Sequence, residues 1–446
     1  MLIKRILIFI LKRVIFPLML FYVLNIKKPL LFKIRHLECE IFFMLFTLSL
    51  VFFFVNIWGK KRLINFETIC FGLIIIANTI YFSSNYFQYQ DYKNRVFNAE
   101  TAQVKRLGRH FITGYTNEGY ADIKELVRIG GLGGIYLTKR NFDGKNFFEI
   151  KEEIDTLQKI QKKNGLPPLF VATDQEGGVV SRASPPLVRL PGLSTLVEMS
   201  QTGEALEAKV KIYANIQSIE LAEVGINVNL SPVVDLKTSG PHDMNFHTRI
   251  DLRSISNDVQ IVTDVAMIYS EIFEKNGVIP TLKHFPGLGG VEQDTHLFTG
   301  ILSRDKTSLN DTDWLPFREI SNKTGAFIML GHVLLTSVDE NALVSYSKKV
   351  ITGLIRETWL HNGVLITDDL NMGPVVKSDG GIGAVSVKAL NAGADLLLIS
   401  YDGEQYYKAL CDLIEAEERG ALDLGLLSKS QKRLNKALSG MTRIQK

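Results

Sequence analysis

From about residue 99 onward the chain alternates short apolar runs with longer segments of helical spacing. The runs are RHFITGY (109–115), GGIYLT (133–138), LFVAT (169–173), NVNLSP (227–232), VIPTLK (278–283), AFIMLG (326–331), GVLIT (363–367) and ADLLLIS (394–400). Continuous apolar runs of this length read as strands covered on both faces, which is the signature of a parallel sheet. Between them lie segments such as 146–165 and 256–277, where apolar residues recur at three- and four-residue spacing and a glycine ends the pattern. Eight strands alternating with helices predict an α/β fold, a closed (β/α)8 TIM-type barrel over residues 105–446, in preference to an open doubly wound sheet.

The first hundred residues have another pattern. Residues 41–58 and 68–87 are uncharged apolar runs, each long enough to span a bilayer core of about 30 Å. A third stretch, 6–24, carries Lys12 and Arg13 in its interior and suits an interfacial helix as well as a span. Residues 1–87 are therefore expected to be a retained transmembrane anchor, with no small-residue cleavage site of a signal peptide after them, and 88–104 a polar linker. This reading predicts a membrane location with the lipid bilayer as a partner. Two spans would leave the barrel on the side of the N-terminal basic residues, and three would place it opposite.

Composition narrows the rest. With 51 basic and 47 acidic residues the net charge of +4 is near balance, which gives no support to a nucleic-acid surface. Cys39, Cys70 and Cys411 lie too far apart for a disulfide framework or a metal cluster.

In a parallel barrel the site is built from loops at the carboxyl ends of the strands. Polar residues collect there: Asp174 to Gly178 after LFVAT, Asp235 after NVNLSP, Lys283 to His296 after VIPTLK, His332 after AFIMLG, and Asp368 and Asp369 after GVLIT. A single aspartate after a strand is explained by helix capping, but five such polar exits are not. Of the adjacent pair, at most one can point down the barrel axis, leaving the other free to cap. In KHFPGLGGVEQDTH (283–296) three glycines allow close backbone approach, while Asp294 can hold one nitrogen of His296 and present the other for proton transfer. Lys283 and His284 can donate to a hydroxylated substrate.

These segments resemble glycoside hydrolase family 3 of the bacterial β-N-acetylglucosaminidase type. KHFPGLGGVEQDTH is similar to that family's KHFPGHG-x4-DSH, ITDDLNM (366–372) to SDDL-x-M, TDQEGGVVSR (173–182) to DQEGG-RVxR, GINVNLSPVVDL (225–236) to GINVN-x-APVVD, and LRSIS (252–256) to DRSFS. They occur in family order over roughly residues 105–436. The resemblance implies a retaining hydrolase that releases terminal β-linked N-acetylglucosamine from peptidoglycan fragments, with no metal and no cofactor. It assigns the nucleophile to Asp368, the general acid/base to His296 with Asp294 supporting it, and sugar binding to Asp174, Arg182, Arg253, Lys283 and His284. Leu288 and Val179 depart from the family pattern, which has histidine and arginine there.

Three rivals accompany this reading. A metal hydrolase would use His284, His296, His332 and Asp368, but the first strand lacks the paired histidines such a site needs. A phosphorylase of the same family would replace water with phosphate. A membrane-tethered sugar sensor would keep the fold without turnover.

Overall fold

In the computed structural model, residues 66–200, 203–237 and 248–444 are described. The chain divides into two compact units, residues 1–94 and 95–446.

The second unit contains a closed barrel of eight parallel strands: β1 Phe111–Gly114, β2 Gly134–Leu137, β3 Phe170–Thr173, β4 Val228–Asn229, β5 Ile279–Phe285, β6 Phe327–Leu330, β7 Leu365–Asp369 and β8 Leu396–Ile399. Each strand pairs with its neighbours in sequence, and β8 closes on β1. All eight lie within one or two residues of the apolar runs that predict them. The intervening helices start where the sequence supplies caps. Asn146 accepts from the amides of Phe148 and Glu149 while Glu149 bonds back to the Asn146 amide, which opens the helix Phe147–Lys163 as a capping box. Asp258 accepts from Gln260 and Ile261 to open Val259–Lys275.

The period of two along each strand sets what fills the barrel and what crowns it. Phe170 and Ala172, Ile279, and Val364 and Ile366 belong to the interior cluster. Continuing the same parity brings the chain to Asp174, Lys283 and Asp368. The opposite mouth is closed by the helix Leu424–Ile444, whose Leu434 and Leu438 join the interior cluster.

The expected membrane location is overturned. Segment 68–87 lies within one helix, Phe66–Asn98, and among the described residues no helix is long and apolar enough to cross a membrane. The apolar character of that segment is broken by Asn78, Thr79, Ser83, Ser84 and Asn85, and the helix continues through Gln88, Gln90 and Asp91. The lipid partner predicted with it loses its support. Segments 6–24 and 41–58 lie outside the described residues.

Candidate active site

At the carboxyl ends of the strands, β5 places Lys283 and His284 in the interior. Lys283 is 2% exposed, and its Nζ lies 2.6 Å from Asp174 Oδ1 and 2.6 Å from Glu176 Oε1. Glu176 also receives Arg253 through both ends of the guanidinium, at 2.9 and 2.7 Å. Arg253 in turn reaches the Thr248 carbonyl at 2.9 Å and stands 3.4 Å from His284 Nε2. The Tyr136 hydroxyl donates to the second oxygen of Asp174. Burial raises the Asp174 carboxyl, but Lys283, Arg182 and the Tyr136 hydroxyl outweigh it and hold the group far below the usual carboxylate range. Glu176 is likewise lowered, by Arg253 and Lys283 against its burial.

His284 is held from below by Asp235, whose Oδ2 lies 2.7 Å from Nδ1. The carboxylate of Asp235 also accepts the His284 amide at 3.1 Å and the Leu288 amide at 2.7 Å. One buried aspartate therefore fixes both the end of β5 and the start of the glycine-rich loop. Within that loop Gly287 has φ of 105°, and a Cβ there would meet Asp313 at 2.8 Å, so only glycine fits the turn.

The far end of the loop carries Asp294 and His296. Asp294 is buried, and its Oδ1 accepts the His296 amide at 3.0 Å and the Thr248 hydroxyl at 2.9 Å, with His296 Nδ1 at 3.3 Å. The His296 side chain remains 38% exposed, so the Asp-oriented imidazole opens to the barrel mouth.

On β7 the two adjacent aspartates part company. Asp369 accepts the amides of Asn371 and Ser400 at 3.0 and 2.9 Å and the Ser400 hydroxyl at 2.6 Å, tying the ends of β7 and β8 together. Burial pushes its carboxyl up to about 6. Asp368 accepts the Asp369 amide at 2.8 Å. Burial raises its carboxyl, but the imidazoles of His284, His332 and His296 together hold it below the usual range. Among the described residues no lysine or arginine forms an ion pair with it. His332 is engaged on both nitrogens, by Ser345 Oγ at 2.8 Å and the Asp369 carbonyl at 3.0 Å.

Asp174, Arg253, Lys283 and His284 thus converge in one buried network, and Asp294 with His296 forms a pair beside Asp368. Arg182 stands apart on an exposed turn, linked to Asp174 through its amide at 3.0 Å and through its charge. Sequence reasoning missed Glu176, the hub between Lys283 and Arg253, and Thr248, the second donor to Asp294. The DQEGG segment points at Glu176, but its partner Arg253 lies 77 residues away.

Residues 118–437 match the family described as "Glycosyl hydrolase family 3 N terminal domain". A beta-hexosaminidase of Nitrosomonas eutropha is 30% identical over 284 residues, covering 63% of this chain and 77% of that protein. One from Methylococcus capsulatus is 29% identical over 331 residues, covering 73% of this chain and 90% of that protein. Among solved structures, a glycoside hydrolase family 3 beta-N-acetylglucosaminidase from Paenibacillus sp. superposes with a TM-score of 0.69 at 28% identity. That superposition covers 76% of this chain and 62% of the Paenibacillus chain.

Proposed function

The chain belongs to glycosyl hydrolase family 3 and is a glycosidase, and on that footing we propose that it is a retaining β-N-acetylhexosaminidase acting on terminal β-linked N-acetylglucosamine in peptidoglycan-derived fragments. Asp368 is the nucleophile and His296, supported by Asp294, the general acid and base. Asp174, Arg182, Arg253, Lys283 and His284 bind the sugar.

The observation that carries this reading is the environment of Asp368. A nucleophilic carboxylate must be ionised yet uncommitted, and Asp368 is held in its charged form by imidazoles and an amide without an ion pair among the described residues. Retaining glycosidases commonly pair a nucleophilic carboxylate with a second carboxyl as acid. Here the second group is an imidazole. His296 delivers its proton to the leaving oxygen as Asp368 attacks the anomeric carbon, and the neutral ring then takes a proton from the water that hydrolyses the glycosyl-enzyme. A neutral base adds no repulsion against Asp368. The buried network fixes the charges that would meet the sugar hydroxyls, since Glu176 holds both Lys283 and Arg253.

The test is release of 4-nitrophenol from its β-N-acetylglucosaminide by the full chain, with EDTA, with added phosphate, and in Asp368→Asn and His296→Ala variants. Turnover that survives EDTA and is lost in both variants supports the hydrolase. Acceleration by phosphate with a glycosyl phosphate product would replace it with a phosphorylase. Sugar binding without turnover would replace it with a sensor.

A further inference from the structure

The stretch that carries His296 is fastened to the stretch that follows Asp368. The Gly373 amide donates to the His296 carbonyl at 2.8 Å. One turn further on, Lys377 Nζ donates to the Leu297 carbonyl at 2.8 Å and sits 5.1 Å from the centre of the Phe298 ring. Three consecutive residues, 296 to 298, are therefore gripped from Gly373 and Lys377. The turn they form is itself closed, because the amides of Leu297 and Phe298 both donate to the Asp294 carbonyl, at 3.0 and 2.9 Å. The approach is as close as a backbone allows. A Cβ at Gly373 would meet the Leu297 oxygen at 2.4 Å and the His296 oxygen at 3.0 Å.

This contact differs in kind from the buried network. Lys377 is exposed and belongs to none of the clusters that face the sugar. Its ammonium supplies one charge-assisted hydrogen bond and one cation–π contact, both to the His296 turn. Proton delivery depends on where His296 stands relative to the bond that breaks, and small misplacements at this distance have large effects on rate. We propose that Lys377 is a positioning residue: with Gly373 it latches the turn bearing His296 onto the exit of β7, setting the separation of acid/base and nucleophile before the sugar arrives. The proposal rests on the roles given above to Asp368 and His296.

A latch of this kind has a signature that general damage to the fold does not share. An acid catalyst matters in proportion to the basicity of the leaving oxygen, so a misplaced His296 should penalise a sugar leaving group and spare one that departs without a proton. The experiment compares kcat/KM for the full chain and its Lys377→Met and Lys377→Arg variants on N,N′-diacetylchitobiose and on 2,4-dinitrophenyl β-N-acetylglucosaminide. Lys377→Met is expected to lose about tenfold on the disaccharide, a fraction of the 10²- to 10⁴-fold that a whole acid/base residue contributes, and to stay within about twofold on the dinitrophenyl substrate. Lys377→Arg keeps a donor and a cation over the ring and should restore most of the loss. Gly373→Ala, which pushes on the same turn through a different contact, should show the same selectivity with a larger loss. Equal losses on both substrates, or no loss in Lys377→Met, would overturn the latch. A wild-type chain that cleaves neither substrate would overturn the function on which it rests, and the latch with it.

Discussion

The two ends of the barrel each hold a carboxylate, and they treat it in opposite ways. At the closed end Asp395, just before β8, accepts Arg433 Nε and a terminal Arg433 nitrogen at 2.8 Å each, Arg356 at 2.6 Å and the Leu365 amide at 2.8 Å. Two permanent cations and an amide occupy it fully. At the open end Asp368 has an amide and a surround of imidazoles. A carboxylate saturated by arginine is a structural clip, whereas one kept ionised without a fixed cation can still form a bond. What occupies the lone pairs separates the two roles.

The largest expected effect sharpens that contrast directly. Asp368→Asn should lower kcat by a factor on the order of 10⁴ or more while leaving the thermal midpoint nearly unchanged, because no buried cation is orphaned. Asp395→Asn should do the reverse. It leaves Arg356 and Arg433 without their anion, at about 3 to 5 kcal/mol, while the folded fraction keeps its turnover. Denaturant unfolding and active-site-normalised kinetics on the two variants check this. A strongly destabilised Asp368→Asn would break the comparison.

The next effect is smaller and lies in pH. At the closed end burial, with Arg356 nearby, pushes His361 down to about 4, and burial also lowers His110. The unfolded chain protonates such histidines near pH 6.5, so below that pH the unfolded state binds a proton that the fold refuses. Their contribution to stability is complete above about 6.5 and is lost as pH falls toward 4. For His361 the loss is roughly 3 kcal/mol across the window. Asp369 at the open end has the opposite sign. Its carboxyl is raised to about 6, so the fold holds a proton that the unfolded chain releases near pH 4. Its contribution therefore declines as pH rises from about 4 to 6, and being half-buried it contributes less than His361. Unfolding at pH 4.5 and 6.5 should show a flatter rise in stability for His361→Gln and a steeper one for Asp369→Asn. Equal slopes in the two variants would remove the distinction between the ends.

Much of this architecture is legible in the chain because it depends on local spacing. Apolar runs fix the eight strands, and counting by twos from Phe170, Ile279 and Ile366 arrives at Asp174, Lys283 and Asp368 without any knowledge of tertiary structure. The caps at Asn146 and Asp258 are equally local. What stays hidden is pairing across distance. Nothing near Glu176 announces that it holds both Arg253 and Lys283, and nothing near Thr248 announces Asp294, 46 residues away. Lys283 and His284 allow a surface salt bridge as an alternative, yet both are buried, because β5 extends into the mouth of the barrel. The closure of the far mouth by Leu434 and Leu438 is hidden for the same reason: two leucines in a largely polar helix do not say which end of a barrel they fill. Segment 68–87 misled by composition, since its overall apolar content hides the polar residues that interrupt it.

The smallest effect concerns the two departures from the family pattern, and it tests how far the reactive character of the open end extends. Leu288 is 4% exposed, its amide is spent on Asp235, and its side chain reaches toward Gly331 inside the protein. The position behaves like the closed end, filled and apolar. Leu288→His should therefore cost about 1 to 3 kcal/mol by forcing a polar ring into a filled, buried position, and turnover per folded molecule should stay within about threefold. Val179 is the counter-case, 46% exposed at the tip of the hairpin that follows Asp174. Val179→Arg should shift stability by no more than about 0.5 kcal/mol. Any effect of the added cation should fall on KM for acidic muropeptides, and it should shrink as salt is raised, because an exposed charge acts through screened solvent. If Leu288→His instead left stability intact and raised kcat, the imidazole would be reaching the sugar, and the boundary between filled and reactive positions would have to be drawn one residue closer to Asp235.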